Sequence, residues 1–433
     1  MMQKRNLLLG LVLVTVIVGL GFASSALDDY ADVASADRVD APMFEVDPFW
    51  PKPLPNHWIL GSVVGVGIDS QDNVYIIHRQ APLNERTEIG AATDPPTGEC
   101  CLPAPYVLVF DPVGNLIDSW GGAGEGYTWP ASNHGISIDP MDNVWIGGNG
   151  AGDGHILKFT KDGRFLAEYG IPGTDLDSNS MEHFGRPAKI AFDAEASEIY
   201  VADGYRNKRV AVLDMETGAI KRMWGAYGNV PSDEDMGRYD PNAPLITQFR
   251  SPVHCAEPTN DGLVYVCDRP NDRLQVFRKD GTYVTERQIA PLTLGDGSTW
   301  DIAFSRDAAQ KYMYLADGKN MKVYIMDRES LEVLTSFGDG GRQPGLFFAV
   351  HSIATDSEGN IYTTETYEGK RVQKFLYQVY DHRREQFEIK NIADALAEFA
   401  QCAARIFFFA KKDAINPFLD ASQNRINDQN ESK

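Results

Sequence analysis

HGISIDPMDNVWIGGN (134–149) reads as two short strands around a tight turn. Ile136 and Ile138, then Val144 and Ile146, are apolar at alternate positions, the period of a β-strand. Between them DPMDN carries the Asp, Pro and Asn that favour turns. Five further segments share this pattern: VGVGIDSQDNVYIIHR (64–79), AKIAFDAEASEIYVADGY (188–205), HCAEPTNDGLVYVCDR (254–269), WDIAFSRDAAQKYMYLADG (300–318) and HSIATDSEGNIYTTET (351–366). A third strand follows each of the six, from YVLVFD (106–111) to RVQKFL (371–376), and all but the last continue through a turn into a fourth. Repeated units of four strands are the signature of propeller blades. An all-β, six-bladed β-propeller over 55–377 is therefore expected. The sixth unit has no fourth strand of its own, and PNHWILGSV (55–63) is expected to supply it and close the ring.

The flanks read differently. Lys4 and Arg5 precede an apolar run, Leu7–Phe22, and then the small residues Ala23–Ala26. That order is a secretory signal peptide over 1–26, too short in its apolar part for a comfortable membrane span, and it implies a secreted or periplasmic protein. An uncleaved anchor is the alternative. Residues 27–54 are expected to be an extended lead-in, and 80–104 a long loop carrying Cys100 and Cys101. After the repeats, in 378–433, Ile389, Ile392, Leu396, Phe399, Ala403 and Ile406 recur at three- and four-residue steps. This is an amphipathic helix, placed on the propeller side or against a membrane surface or protein partner; a polar, disordered tail follows.

The formal net charge of −21 repels phosphate backbones, so nucleic acid is not an expected partner. Five cysteines without a CxxC pair make neither a disulfide scaffold nor a thiolate metal site, and the odd count leaves one over. Their pairing stays open.

Aligning the six units on the residue five before the turn acid, or its equivalent, puts Val64, His134, Ala188, His254, Trp300 and His351 at one register position. This position opens the innermost strand, which lines the central channel. Three of the eight histidines in the chain fall here, in alternate blades, each a third of a turn from the next. Three imidazoles would converge on one point and leave a position open for water or substrate, as a catalytic divalent metal requires. Zinc is the first choice, with iron or copper left open. The other histidines, His57, His78, His155, His183 and His382, show no such pattern and read as structural or surface residues. A second ring follows at the ends of the second strands: Arg79, Tyr205 and Arg269. Two guanidinium groups beside a metal suit a carboxylate, and cations favour the ionised form of a neighbouring phenol. An Asp268–Arg269 ion pair is the competing reading for Arg269.

GVGIDSQDNVYIIHR, NHGISID, YVADGYRNKRV, VHCAEPTNDGLVYVCDR and VHSIATD give the chain, over about 60–376, a resemblance to NHL-repeat propellers and, among these, to the lyase domain of peptidylglycine alpha-amidating enzymes. The resemblance implies that His134, His254 and His351 bind zinc. It also implies that Arg79 and Arg269 hold a substrate carboxylate and that Tyr205 is the base. The implied reaction releases glyoxylate from a peptidyl-α-hydroxyglycine and leaves a peptide amide. The substrate would be a small molecule or peptide bearing an α-hydroxy acid group. The chain departs from the family at Ala349, where a methionine is expected, and at Ser352, where an acid helps to hold a structural calcium; calcium is therefore doubtful. The family's disulfides have no evident counterpart. Without a monooxygenase domain, a related α-hydroxy acid or hemiaminal is an alternative substrate. Two other functions compete. A lactonase-like metal hydrolase would gather carboxylates rather than histidines at the ring. A non-catalytic NHL-repeat binding propeller would explain the repeats but not the three-histidine register.

Overall fold

The computed structural model describes residues 41–173 and 177–378. The expected signal peptide, the first half of the lead-in, the C-terminal helix and Cys402 lie outside the described residues.

Six four-stranded antiparallel sheets follow one another as blades. Their innermost strands are Ser62–Ile68, Asn133–Ile138, Lys189–Asp193, Val253–Pro258, Asp301–Phe304 and Val350–Thr355. Alternation produces the core: one face of each blade meets the next blade through residues such as Val64, Ile77, Ile136, Ile146 and Leu157, all buried. The repeated turn acid has a local task. Asp69, Asp139 and Asp356 each accept backbone N–H bonds from the second and fourth residues after them, fixing the tight turn between the first two strands. The second acid of two turns reaches a neighbouring blade: Asp142 accepts from Ser70 Oγ at 2.6 Å, and Asp72 from Ser357 Oγ at 2.5 Å. The latter bond joins blade one to blade six and so closes the circle.

The outer strand of blade six corrects the sequence reading. It is Met43–Asp47, paired antiparallel with Arg371–Gln378 in the register Phe44↔Tyr377 and Val46↔Phe375. Residues 55–63 do not pair with the last unit. Trp58–Ile59 instead forms a short parallel pair with Leu102–Pro103, and Ser62 and Val63 already belong to the innermost strand of blade one. The reason is packing. Phe44 and Val46 sit against the blade-five and blade-six core, whereas the longer apolar run at 58–63 is needed inside blade one, where Val63 is buried and Trp58 and Leu60 pack beside it. Ring closure by an N-terminal strand stands; the strand lies earlier, within the stretch expected to be an extended lead-in.

Two disulfides are present among the described residues. Cys255 and Cys267 are register partners on adjacent strands of blade four, with Cα atoms 4.8 Å apart. Cys100 and Cys101 form a vicinal pair in the long loop. The first gives the chain a cross-strand bridge that the sequence reading did not assign, directly beside His254.

Candidate metal centre

The histidines sit at breaks in strand register, a feature that blade one shares at Val64. In blades two, four and six the ladder between the first two strands shifts beside His134, His254 and His351, with an extra residue in the inner strand. Such a bulge re-aims a side chain, here inward to the axis. Gly135 makes the bulge in blade two: its φ is +70°, and a Cβ there would lie 2.5 Å from the Ala188 carbonyl oxygen.

The three rings converge. Their centroids are 4.8 to 5.1 Å apart, all three residues are at most 3% exposed, and one nitrogen from each falls within a 4.8 Å set that could hold an ion. His134 Nδ1 meets the Ala188 carbonyl at 2.8 Å and His254 Nδ1 the Trp300 carbonyl at 2.5 Å. Ala188 and Trp300 are the register residues of the next blades. His351 faces the third, Val64, whose carbonyl favours a proton on the ring, although Nδ1 makes no fully formed hydrogen bond. A carbonyl accepts only, so Nδ1 of His134 and of His254 carries the hydrogen and Nε2 presents its lone pair inward. His134 Nε2 and His351 Nε2 are 3.2 Å apart. At this distance either His351 Nε2–H donates to the His134 lone pair or, with both nitrogens bare, a cation lies between them; three converging imidazoles fit a divalent metal with imidazole affinity. Burial above all holds all three imidazoles well below their usual pKa and hence neutral; the guanidinium of Arg269 adds to this at each of them, and that of Arg79 at His134 and His351.

The second ring gathers at the same mouth. Tyr205 Oη lies 2.9 Å from His134 Nε2 and 3.1 Å from His254 Nε2. Arg269 Nη1 donates to it at 3.4 Å. The guanidinium of Arg269 also stacks over Trp300, 4.6 Å from the ring centroid. The competing Asp268–Arg269 pair does not form. Asp268 is taken by Arg273, at 2.6 Å and fully buried, in a pairing that Asp203–Arg209 and Glu365–Arg371 repeat in other blades. Arg269 is left with Asp296, 3.9 Å away and partly exposed. Arg79 donates Nε to the Asn133 carbonyl at 3.0 Å and Nη2 to Asn149 Oδ1 at 2.9 Å. These bonds aim it at blade two, beside the phenol but not bonded to it. The other described histidines lie away from the centre: His57 is exposed, His78 is buried between Gly61 N and the Pro105 carbonyl, and His155 meets the Thr128 carbonyl. His382 lies outside the described residues.

Three parts of the site were missed in the sequence. Asn149 stands at the Arg79 and Arg269 level of its own blade, and carrying the same residue count through blade two would have found it. Trp300 was aligned at the register position, but its stacking on Arg269 is a spatial fact. Behind the histidines, Lys189 pairs with Asp301 at 2.6 Å and Glu257 at 2.9 Å, and Ser352 Oγ donates to Asp301 Oδ2 at 2.8 Å. Burial opposes the charge on Lys189, but the two carboxylates outweigh it and hold the ammonium above its ordinary range. Lys189, Asp301 and Ser352 each sit one residue past the register position.

No protein-family model matches the chain. Curated relatives do. The chain is 24% identical over 348 residues to the peptidylglycine alpha-amidating monooxygenase of Rattus norvegicus, covering 78% of this chain and 33% of that protein. It is 24% identical over 351 residues to peptidyl-alpha-hydroxyglycine alpha-amidating lyase 1 of Drosophila melanogaster, covering 76% and 59%. Against NHL repeat-containing protein 3 of Mus musculus the figures are 26% over 358 residues, covering 78% and 86%. The chain is a six-bladed propeller with amidating-lyase and NHL-repeat homologues. It spans about a third of the rat monooxygenase and just under two thirds of the fly lyase.

Proposed function

We propose that the chain is a secreted or periplasmic metal-dependent carbon–nitrogen lyase. It would release glyoxylate from a peptidyl-α-hydroxyglycine, or the corresponding carbonyl acid from a related α-hydroxy acid. The observation that carries this reading is the phenol of Tyr205, shared between two inward-facing imidazole nitrogens and one guanidinium. The name of the fly relative is consistent with it.

His134, His254 and His351 would hold the metal, zinc as first choice, and the ion would supply Lewis acidity to a substrate oxygen. Arg79 and Arg269 bind and orient the substrate carboxylate. Asp296 marks the carboxylate position at Arg269, and its partial exposure leaves it free to yield to a ligand. Tyr205 Oη accepts the hydroxyl proton, with Arg269 Nη1 placed to stabilise the phenolate. As the carbonyl of the aldehyde acid forms, the C–N bond of the hemiaminal breaks and Tyr205 Oη passes the proton to the departing nitrogen, giving the aldehyde acid and the amide. Next to Arg269 a groove of about 630 Å³ is lined by Lys208, Met236, Tyr239, Arg250 and Leu294. It suits the acyl portion of a peptide or smaller amide.

The test is release of glyoxylate from α-hydroxyhippurate by the full chain reconstituted with zinc. Glyoxylate formation that a chelator abolishes supports the lyase. A chain that binds one metal tightly but leaves this substrate intact excludes the glyoxylate-releasing reading and leaves the lyase for a related α-hydroxy acid and the lactonase-like hydrolase. A chain that binds no metal is the NHL-repeat binding propeller.

A further inference from the structure

The back of the histidine centre is closed by a charge cluster that the proposed chemistry does not use. Lys189 follows Ala188, the acceptor of His134; Asp301 follows Trp300, the acceptor of His254; Ser352 follows His351. Lys189 Nζ donates to Asp301 Oδ1 at 2.6 Å. Asp301 Oδ2 accepts from Ser352 Oγ at 2.8 Å and from Ile353 N at 3.1 Å. Glu257 Oε1, three residues beyond His254, lies 2.9 Å from the same ammonium, out of hydrogen-bond alignment. One amine thus joins the inner strands of blades three, four, five and six immediately behind the three ligands. The side chains of Lys189, Glu257 and Asp301 are 14%, 18% and 2% exposed. Charges this deep persist only when paired.

The structural calcium implied by the family resemblance does not fit here. Calcium takes six to eight oxygens at about 2.3–2.6 Å. The cluster offers two carboxylates, with Ser352 where the resemblance expects an acid, and the Lys189 ammonium already sits between them. The void between cluster and histidines is about 10 Å³, room for roughly one water at most. We propose that Lys189 is the fixed cation of the channel, standing in place of a divalent ion and positioning the strands that carry the three histidines, so that the chain folds and assembles its site without calcium. This does not rest on the lyase reading, because its readouts are calcium response and stability rather than turnover.

The experiment compares the metal-depleted full chain with Lys189→Ala. The parent should show no change in melting temperature between chelator and millimolar calcium. Lys189→Ala leaves two buried carboxylates facing each other. It should melt roughly 5–10 °C lower, recover much of that loss in calcium, and bind one more equivalent of terbium than the parent, by luminescence. A parent stabilised by calcium overturns the proposal, and that titration stands whether or not the variant folds. A Lys189→Ala chain that folds with parental stability, or takes no additional terbium and gains nothing from calcium, overturns it as well. Ser352→Asp with Lys189 retained should remain calcium-independent, and a new calcium response in that variant would likewise count against a lysine that already fills the place.

Discussion

Blades two, four and six and blades one, three and five use one register position for two different tasks. The even blades place His134, His254 and His351 there; the strand register shifts beside all three, and beside Val64 of blade one as well. The odd blades place Val64, Ala188 and Trp300 there, and what they contribute is a main-chain carbonyl facing the histidine of the preceding blade. A side chain that must donate a lone pair to an ion needs its other nitrogen tied down, and the neighbouring blade does this without spending a side chain. Hence valine and alanine suffice at two odd positions, the third, Trp300, adds a ring under Arg269, and the even positions are all histidine.

Breaking an even position should have the largest effect. His254→Ala removes a ligand and leaves two, so metal affinity should fall by more than the roughly 10–100-fold that losing an outer hydrogen-bond partner costs; competition with a chelator of known affinity measures it. Tyr205→Phe keeps shape but removes the proposed proton acceptor. Turnover should drop by about 10²–10⁴-fold with metal content unchanged, and parental turnover on a substrate the enzyme converts would exclude Tyr205 as base. Arg269→Ala should weaken substrate binding and, through the lost support of the phenolate, lower turnover as well. KM is expected to rise by about tenfold or more, the cost of a charged hydrogen bond to a carboxylate, while a surface change such as Arg164→Ala leaves KM alone.

The carbonyls of the odd blades should respond more gently, and a change in blade two reaches one of them. Gly135→Ala pushes a methyl group to 2.5 Å from the Ala188 carbonyl. Displacing that acceptor should lower metal affinity by about tenfold without abolishing binding. An unchanged affinity would mean that the carbonyl does not orient His134. The smallest effect concerns pH. The three imidazoles titrate well below the usual histidine value because they are buried, most of all, and flanked by guanidiniums. Protons therefore compete with the metal only below that lowered range. Apparent affinity should stay flat from pH 8 through about 6.5, the ordinary histidine pKa, where a solvent-exposed three-histidine site would already be losing metal.

The sequence carried the ring and the centre for the same reason: both are periodic. Alternation and the recurrent turn acid exposed six units, and aligning them exposed the histidines. Ring closure was misplaced because the true partner, Met43–Asp47, is five residues long with Phe44 and Val46 as its inward pair, too weak a signal beside the apolar run at 58–63. The cross-strand bridge Cys255–Cys267 was legible in principle from its span over one hairpin, yet a count of five cysteines does not choose partners. Lys189, Asp301 and Ser352 lie one step past the aligned position. Their order along the sequence was visible; their meeting on the axis depends on three blades coming together.

X-ray absorption at the zinc edge of the reconstituted full chain tests the central claim most directly. One equivalent of metal per chain with three imidazole nitrogens at about 2.0–2.1 Å, reduced to a different ligand set or to no bound metal in His254→Ala, is the expected result. A chain that holds no metal, or one whose metal is coordinated by carboxylate oxygens and is indifferent to the loss of His254, would contradict it.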